Sequence, residues 1–140
     1  MENQDVKCVV VVDDTLPTGI IANTAAILGI TLGRYIPEVV GEDVTDSSGS
    51  VHKGIIFVPV PILKAGRGAI KALREKLLTP YFNELFVADF SDVAQNCYVY
   101  DEYVKKTAAT KEEDYIYLGL AIFGNKKKIN KLTGNLFLLR

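Results

Sequence analysis

The sequence predicts one layered α/β domain spanning residues 1–140. Apolar, β-branched stretches alternate along the chain with segments of helical spacing, a pattern typical of this class. The chain has 140 residues and is 49% hydrophobic, which is enough to fill one core. Neither an internal repeat nor a low-complexity linker divides it. We therefore expect a single domain.

The first predicted elements are a strand and a helix. Val6 to Asp13 is almost entirely apolar and ends in acids, as expected of a strand covered on both faces. The loop that follows offers a capping hydroxyl in Thr15 and, in Pro17, a fixed φ suited to a first helical turn. Ile20 to Leu28 is then predicted to be helical. We expect this helix to end near Gly29 or Gly33, because glycine is common just past a helix end.

The next segment is predicted to be a hairpin. Two strand-like stretches, Val39 to Asp46 and Val51 to Val60, flank the polar loop Ser47-Ser48-Gly49-Ser50. Pro59 and Pro61 cannot donate hydrogen bonds to a neighbouring strand, so they predict a sheet edge or a strand exit.

The following residues alternate between helix and strand. Arg67 to Leu78 has the spacing of an amphipathic helix, which Pro80 ends. Leu85 to Phe90 is predicted to be a strand. Ser91 can then cap a long helix, Asp92 to Lys106, that carries Val93, Cys97, Tyr100 and Val104 on one face.

The remaining segments predict an antiparallel end to the sheet. Thr107 to Asp114 is polar and predicts a loop. Tyr115 to Phe123 and Asn135 to Leu139 have the composition of strands, and Gly124 to Lys131 between them is predicted to be a basic turn.

Composition excludes several classes of protein. Sixteen basic and seventeen acidic residues give a net charge of -1, unlike a dedicated DNA-binding domain. The longest apolar runs, such as Cys8 to Val12 and Ile55 to Val58, fall far short of the roughly 20 residues of a membrane helix. Residues 1–5 are polar and lack the basic start of a secretory signal. We expect no membrane association and a cytoplasmic location.

The residues that could hold a metal or act as a nucleophile are few. Cys8, Cys97 and His52 are the only cysteines and histidine, too small a set for a zinc site made of these types alone. Nothing in the spacing brings His52 and Cys97 together as a base and a nucleophile. The sequence has no G-x-S-x-G elbow and neither glycine-rich nucleotide motif. We therefore expect no metal and no cofactor.

The loop after the first strand is the strongest candidate site. Ligands of open α/β folds collect at the carboxyl ends of strands, and helix N-termini offer free N–H groups to anions. Asp89, at the end of a later strand, could share that crevice if the two strands are neighbours, and its carboxylate could then serve as a general base. The alternative is that the acids of the loop and Asp89 only cap the helices that follow them.

Positive charge is concentrated in two segments. Residues 64–76 hold Lys64, Arg67, Lys71, Arg74 and Lys76 against Glu75 alone. Residues 126–140 hold five basic residues and no acid: Lys126, Lys127, Lys128, Lys131 and Arg140. If both segments share one face, they would form a weak, salt-sensitive surface for RNA or a nucleotide; the alternative is a solvated helix face and turn.

The two ends of the chain resemble bacterial-archaeal type 2 peptidyl-tRNA hydrolases. The first strand, the loop with Pro17 and Gly19, and the alanine-rich stretch at residues 20–26 look like the opening of that family. Residues 87–91 lie where that family has an Asp-Ala-Gly turn. Residues 131–139 resemble its closing Val-Thr-Gly-x-Leu-Lys-Leu-Leu strand.

Nearly the whole chain resembles an uncharacterised bacterial family, a domain of unknown function that shares the hydrolase fold. The matching segments are Val11 to Ala26, Pro61 to Leu63, Asp89 to Gln95 and Leu132 to Leu136. The resemblance implies a three-layer α/β/α sandwich with a mixed four-stranded sheet and, by analogy with the hydrolases, a homodimer. The helix Asp92 to Lys106 is an insertion relative to the hydrolases.

The resemblance does not carry the hydrolase activity across intact. The hydrolases open their first helix with a Gly-Lys pair and follow it with a Gln and a His. This chain has Thr18-Gly19-Ile20 there, followed by Asn23 and Ala26, so the lysine is missing. Of the hydrolase catalytic set, Asp89 alone is kept.

These observations favour a crevice that binds a small polar or anionic ligand. Two alternatives stay open. The first is hydrolysis of an ester such as peptidyl-tRNA, with Asp89 as base or water-orienting residue and the basic segments holding RNA. The second is a dimeric interaction protein without catalysis. The predicted site consists of Asp13, Thr15, Pro17, Thr18, Gly19 and Asn23 as ligand-binding residues and Asp89 as the catalytic residue.

Overall fold

The protein folds as one α/β domain with helices on both faces of a mixed sheet. A computed structural model describes residues 5–140. The strands are β1 (Val6–Asp13), β2 (Val44–Thr45), β3 (Val51–His52), β4 (Ile62–Ala65), β5 (Phe86–Ser91), β6 (Tyr117–Asn125) and β7 (Phe137–Leu138). The helices are α1 (Thr18–Tyr35), α2 (Arg67–Leu77), α3 (Asp92–Gln95), α4 (Tyr100–Ala108) and α5 (Lys126–Thr133).

The main sheet has the strand order β5-β6-β1-β4-β7 within the described residues. Strands β1 and β4 are parallel, with Val11 opposite Leu63, whereas β6 runs antiparallel to both β1 and β5. The mixed sheet that the resemblance implies is therefore confirmed. The expected four strands are wrong, because β7 adds a fifth by pairing antiparallel with β4.

Alternate residues of β1 point into two separate cores, as the period of a strand requires. Val10 and Val12 pack with Leu28 of α1 on one face. Val9 and Val11 pack on the other face, against α2 and α5. Both faces of β1 are covered, which explains its uniformly apolar sequence.

Helix α1 is longer than predicted and passes through both glycines. It ends at Tyr35, and Leu28, Leu32 and Ile36 follow one another as buried residues over the sheet. Burial of this apolar stripe outweighs the roughly 1 kcal/mol by which each glycine weakens a helix relative to alanine.

The predicted hairpin exists but is much shorter than expected. Its strands β2 and β3 have two residues each, and all of these residues are exposed. Asp46 accepts hydrogen bonds from the N–H groups of Ser48 and Ser50, and Gly49 has φ 86°. The hairpin forms a separate two-stranded sheet with no buried residue in its strands, so core packing does not stabilise a longer pairing. Pro59 and Pro61 precede β4, so they mark a strand entry rather than an exit.

The long helix predicted after β5 is wrong. The chain forms two short helices, α3 and α4, separated by an extended Val99 (φ −122°, ψ 136°). The expected cap is also wrong, since Ser91 makes no side-chain hydrogen bond to α3 in the described structure. Strand β5 is the edge of the sheet, and the predicted apolar face is only partly covered: Val93 and Cys97 are half-buried, whereas Tyr100 and Val104 are exposed.

The basic turn predicted after β6 is a helix, α5. The Asn125 side chain caps it by accepting a hydrogen bond from the Lys128 N–H. Ile129 and Thr133 are buried against the sheet at i, i+4 spacing, while the lysines remain at the surface. The dense positive charge obscured this short apolar stripe in the sequence.

Other boundaries differ from prediction by one or two residues. Helix α2 and strand β5 are each confirmed within one residue, and β6 is shifted by two. The final strand, β7, is shorter than expected. The predicted loop at residues 107–114 includes the last turn of α4 and a 3-10 turn, Glu112–Asp114.

Candidate functional site

The first candidate loop is a tight turn built around Asp13. The Asp13 side chain is 2% exposed, and its Oδ1 accepts hydrogen bonds from the Thr15 N–H at 3.0 Å and the Thr15 hydroxyl at 2.6 Å. The predicted capping role of Thr15 is wrong, because this hydroxyl bonds to Asp13. Pro17 is the residue before α1, and no side chain of the described residues caps that helix end.

The other residues predicted to bind a ligand surround this turn. Thr15, Pro17, Thr18 and Gly19 are exposed, as is Asn23 one turn into α1. Ligand binding by these residues stays a prediction.

Asp13 and Asp89 do not lie on neighbouring strands. Strand β6 separates β1 from β5, and Asp89 stands in the row of Leu120 and Val11, two residues before Asp13. Two strand spacings and two residues of rise place their Cα atoms about 12 Å apart. The condition under which we expected the two carboxylates to share a crevice is not met.

The carboxylate of Asp89 belongs to a cluster with Arg74, Glu112 and Tyr117, here called the Arg74 cluster. The Arg74 guanidinium lies 3.8 Å from the Asp89 Oδ2 and 4.0 Å from the Glu112 Oε1. The Tyr117 hydroxyl donates to the Glu112 Oε1 at 2.8 Å, and the Arg74 guanidinium lies 5.9 Å from the Tyr117 ring centre. The buried Arg74 Nε has no hydrogen-bond partner among residues 5–140. One arginine thus counters two carboxylates without a close hydrogen bond to either.

This environment shifts the pKa values of three groups. Partial burial raises the pKa of Asp89, Arg74 opposes this rise and Glu112 adds to it. Burial also raises the pKa of Tyr117, helped by its hydrogen bond to Glu112. Burial and the nearby Asp89 charge raise the pKa of Tyr103 on α4. Asp89 is thus less acidic than usual, and Tyr103 and Tyr117 remain neutral donors at physiological pH.

A groove of about 520 Å³ runs along the β5 edge of the sheet, here called the edge groove. It lies between α1 on one side and the α3–α4 segment on the other. Apolar and aromatic side chains dominate its walls, and Asp89 is the one charged residue among the described residues that line it. The lining residues are Ile27, Thr31, Asp89, Phe90, Ala94, Cys97, Tyr98, Val99, Tyr100 and Tyr103.

The helices of the two basic segments lie in one layer of the protein. Helices α2 and α5 both pack into the core on the same face of the sheet. Some of their charges are already paired. Lys128 bonds to Glu84 and to the carbonyl oxygen of Tyr81, and the ammonium groups of Lys128 and Lys131 lie 4.6 and 5.0 Å from the Tyr81 ring centre.

The residues considered for metal or thiol chemistry are dispersed. Within residues 5–140 no group of three His, Cys, Asp or Glu side chains could hold a metal. His52 lies on the exposed hairpin, 2.8 Å from Asp46. Cys8 is buried and Cys97 is half-buried, and neither forms a disulfide in the described structure. Within the same residues no helix has the length and apolarity to cross a membrane.

Sequence reasoning found Asp89 but missed its partners. Arg74 was assigned to a basic surface, and Glu112 to a polar loop. One feature of the sequence could have identified Arg74 as a partner: on α2 it directly follows Leu73, which is buried.

We expect Arg74→Met to lower the free energy of unfolding at pH 7 by about 1–2 kcal/mol, because Asp89 and Glu112 would lose the cation between them. Urea denaturation measures this change. In a double-mutant cycle, Asp89→Asn should recover part of the loss. Additive effects of the two substitutions would contradict the coupling of these groups.

We expect Asp89→Asn to change how stability depends on pH. Because the fold raises the pKa of Asp89, protonation of this carboxyl favours the folded state. The resulting stabilisation is complete below the unfolded pKa of 3.8 and is lost as the pH rises through the pKa of the folded state. As the pH rises above 3.8, the wild-type protein should therefore lose stability relative to Asp89→Asn until the carboxyl is fully ionised. Urea denaturation across this range measures the difference. A wild-type protein that gains stability relative to the variant would contradict the direction of the shift.

Comparison with known proteins identifies the family. The model of the family described as "Protein of unknown function (DUF2000)" matches residues 6–140. The structure of Atu0240, a protein of unknown function from Agrobacterium tumefaciens strain C58, is similar with a TM-score of 0.87 and 17% identity, over 97% of this chain and 98% of that one. At that identity the likeness shows a shared fold. No curated protein matches the sequence. The predicted assignment to an uncharacterised family is confirmed, and the chain belongs to the DUF2000 family.

Proposed function

We propose that the protein binds a small organic molecule in the edge groove, with Asp89 as its main polar contact. The observation that carries this proposal is a groove of about 520 Å³ with a single partly desolvated carboxyl in its wall. Ligand sites are commonly clefts of about 300–1,000 Å³ with apolar walls and few polar groups. The proposal keeps Asp89 from the predicted site and replaces the Asp13 turn by the groove.

The lining of the groove indicates the chemistry of its ligand. Ile27, Phe90 and Val99 offer apolar contacts, and Tyr100 and Tyr103 stand edge to face with ring centres 5.4 Å apart. Aromatic walls of this kind pack against rings and alkyl groups. A carboxylate accepts hydrogen bonds and repels anions, so a ligand with an N–H or O–H donor fits Asp89 better than an anion does.

A thermal-shift screen of small molecules tests this proposal with a groove-filling variant. Ala94 is half-buried in the wall of the groove, so Ala94→Trp should occupy it. The control is Ala72→Trp, at an exposed position on α2 across the sheet. Compounds that raise the Tm of the wild type and the control, but not of Ala94→Trp, would support the site. Compounds acting equally on all three proteins, or none acting on the wild type, would contradict it.

Asp89→Asn then tests the polar contact. For each compound that passes the first test, we expect the affinity to fall about tenfold or more, since an amide replaces a charged acceptor. The dissociation constants are measured by isothermal titration calorimetry. Unchanged affinity would mean that the groove binds the compound without Asp89.

Hydrolysis of an ester such as peptidyl-tRNA is a second candidate function. One observation favours it: the basic helices α2 and α5 share a layer, and Arg74 of that layer is next to Asp89. This candidate includes the proposal that the fold is that of type 2 peptidyl-tRNA hydrolases and that the protein is a homodimer. Asp89 would act as the base or orient the attacking water.

Peptidyl-tRNA cleavage by the purified protein tests the second candidate. The variants are Asp89→Asn and, as a matched control, Asp14→Asn at an exposed position of the first loop. Turnover that is lost in Asp89→Asn and kept in Asp14→Asn would support a hydrolase. Turnover no higher than in a reaction without protein would contradict it.

A further inference from the structure

A second cavity, of about 150 Å³, lies between α1 and the sheet, and we call it the glycine cavity. Gly29 and Gly33 form part of its helical wall, one turn apart. It shares none of its described lining residues with the edge groove. The remaining lining residues are Cys8, Val10, Leu32, Val39, Val40, Ile56, Val60 and Ala121.

The walls of the glycine cavity are apolar. Val10, Leu32, Val39 and Ala121 are buried there. Cys8 carries the one side-chain heteroatom among the described lining residues, and burial raises the pKa of its thiol to about 11. The thiol is therefore neutral and behaves as a small hydrophobic group at physiological pH. Water needs polar partners in a cavity, and these walls offer few.

Gly29 and Gly33 leave the glycine cavity open, and no neighbouring element packs so closely against them that only glycine would fit. Apart from the backbone of their own helix and their chain neighbours, no described atom lies within 4 Å of a Cβ placed on Gly29 or Gly33. Alanine at either position would fit, and it would favour the helix. The cavity opens to solvent beside the exposed residues Gly29 and Val40, which provides an entry path.

We propose that the glycine cavity binds a compact hydrocarbon group, of about the size of a benzene ring. An apolar cavity of about 150 Å³ in another protein stays dry and takes up benzene or xenon, so both the volume and the lining suit this class. The group buries its surface against the valine, leucine and isoleucine side chains of the wall. It can come from a free small molecule or from the end of a longer chain that enters beside Val40.

Toluene binding is the first test, and it is measured by methyl NMR and by thermal unfolding. Toluene should shift the methyl signals of Val10, Leu32, Val39, Ile56 and Val60. At about ten times the dissociation constant it should raise the Tm by about 3–6 °C. Saturating toluene that leaves these methyl signals unchanged would overturn the proposal.

A filled variant and a matched control locate the site. Gly33→Leu should place its side chain in the cavity and abolish the toluene response. Gly68→Leu makes the same exchange in α2, where a Cβ also has no described atom within 4 Å beyond its own helix and chain neighbours, and it should keep the response. Gly33→Ala adds a smaller group and should weaken toluene binding. This variant keeps the test decisive if the leucine variant does not fold. An unchanged response in both Gly33 variants would overturn the proposal.

Octanol distinguishes the two sources of the hydrocarbon group. If octanol shifts the same methyl signals and competes with toluene, the cavity accepts the end of a chain. If toluene alone binds, the occupant is a compact free molecule. Either result supports a hydrocarbon site.

Discussion

Gly119→Ala should lower the free energy of unfolding by about 3 kcal/mol, because the new methyl group overlaps a packed helix–sheet contact. Gly119 lies on β6 beneath α1. A Cβ at this position would lie 2.8 Å from the Thr24 Cγ2, 2.8 Å from the Val11 carbonyl oxygen and 3.2 Å from the Leu28 Cδ1. The Val11 oxygen belongs to the central strand of the sheet and cannot move alone. To relieve all three contacts, α1 must move away from the sheet and β6 must shift against β1.

Two further variants identify the cause of this loss. Thr24→Ser removes the methyl group nearest to the new Cβ and keeps the hydroxyl that donates to the Ile20 carbonyl oxygen at 2.7 Å. Added to Gly119→Ala, it should recover part of the stability. Gly68→Ala, at an open position on α2, should stabilise the protein by up to about 1 kcal/mol. Urea denaturation measures all three, and a Gly119→Ala protein as stable as the wild type would contradict the close approach of α1.

Ile129→Ala should lower the free energy of unfolding by about 3–4 kcal/mol, within the range for large-to-small core substitutions. Ile129 is fully buried in the core that Val9, Val11 and Ile70 also share, and it fixes α5 to the sheet. The other α5 residues that face this core offer less replacement contact, since Leu132 is only partly buried. The space left by Ile129 is therefore poorly refilled.

Lys127→Ala, at an exposed position of the same helix, is the control and should change stability by less than about 0.5 kcal/mol. Chemical denaturation compares the two variants, and in both the new residue is alanine. Similar small effects of both substitutions would mean that α5 does not depend on the core for its position.

Elements with a strong local pattern could be predicted from the sequence. Strand β1 has its predicted bounds, and α2 is confirmed within one residue. Strand β1 contains a continuous β-branched apolar run, and α2 repeats with the helical period over eleven residues, so both patterns are clear. Helix α5 has only eight residues, and its lysines outnumber its buried positions. Its local composition therefore resembled that of a turn.

The candidate site was predictable only in part. Asp89 follows from its position at the end of a strand. Its partner Arg74 precedes it by fifteen residues, and Glu112 follows it by twenty-three, so that no local pattern connects them. The edge groove depends on the break between α3 and α4, which the helical spacing of residues 92–106 hides.

By itself the sequence determined the class of the fold, its family, its first strand and the importance assigned to Asp89, because each of these depends on residues close together in the chain. The tertiary structure decided that β6 lies between β1 and β5, which separates Asp13 from Asp89. It also decided that Arg74 faces Asp89 and that Gly29 and Gly33 border a cavity. Strand order and burial depend on the free energy of the whole chain, which includes contacts between residues far apart in the sequence.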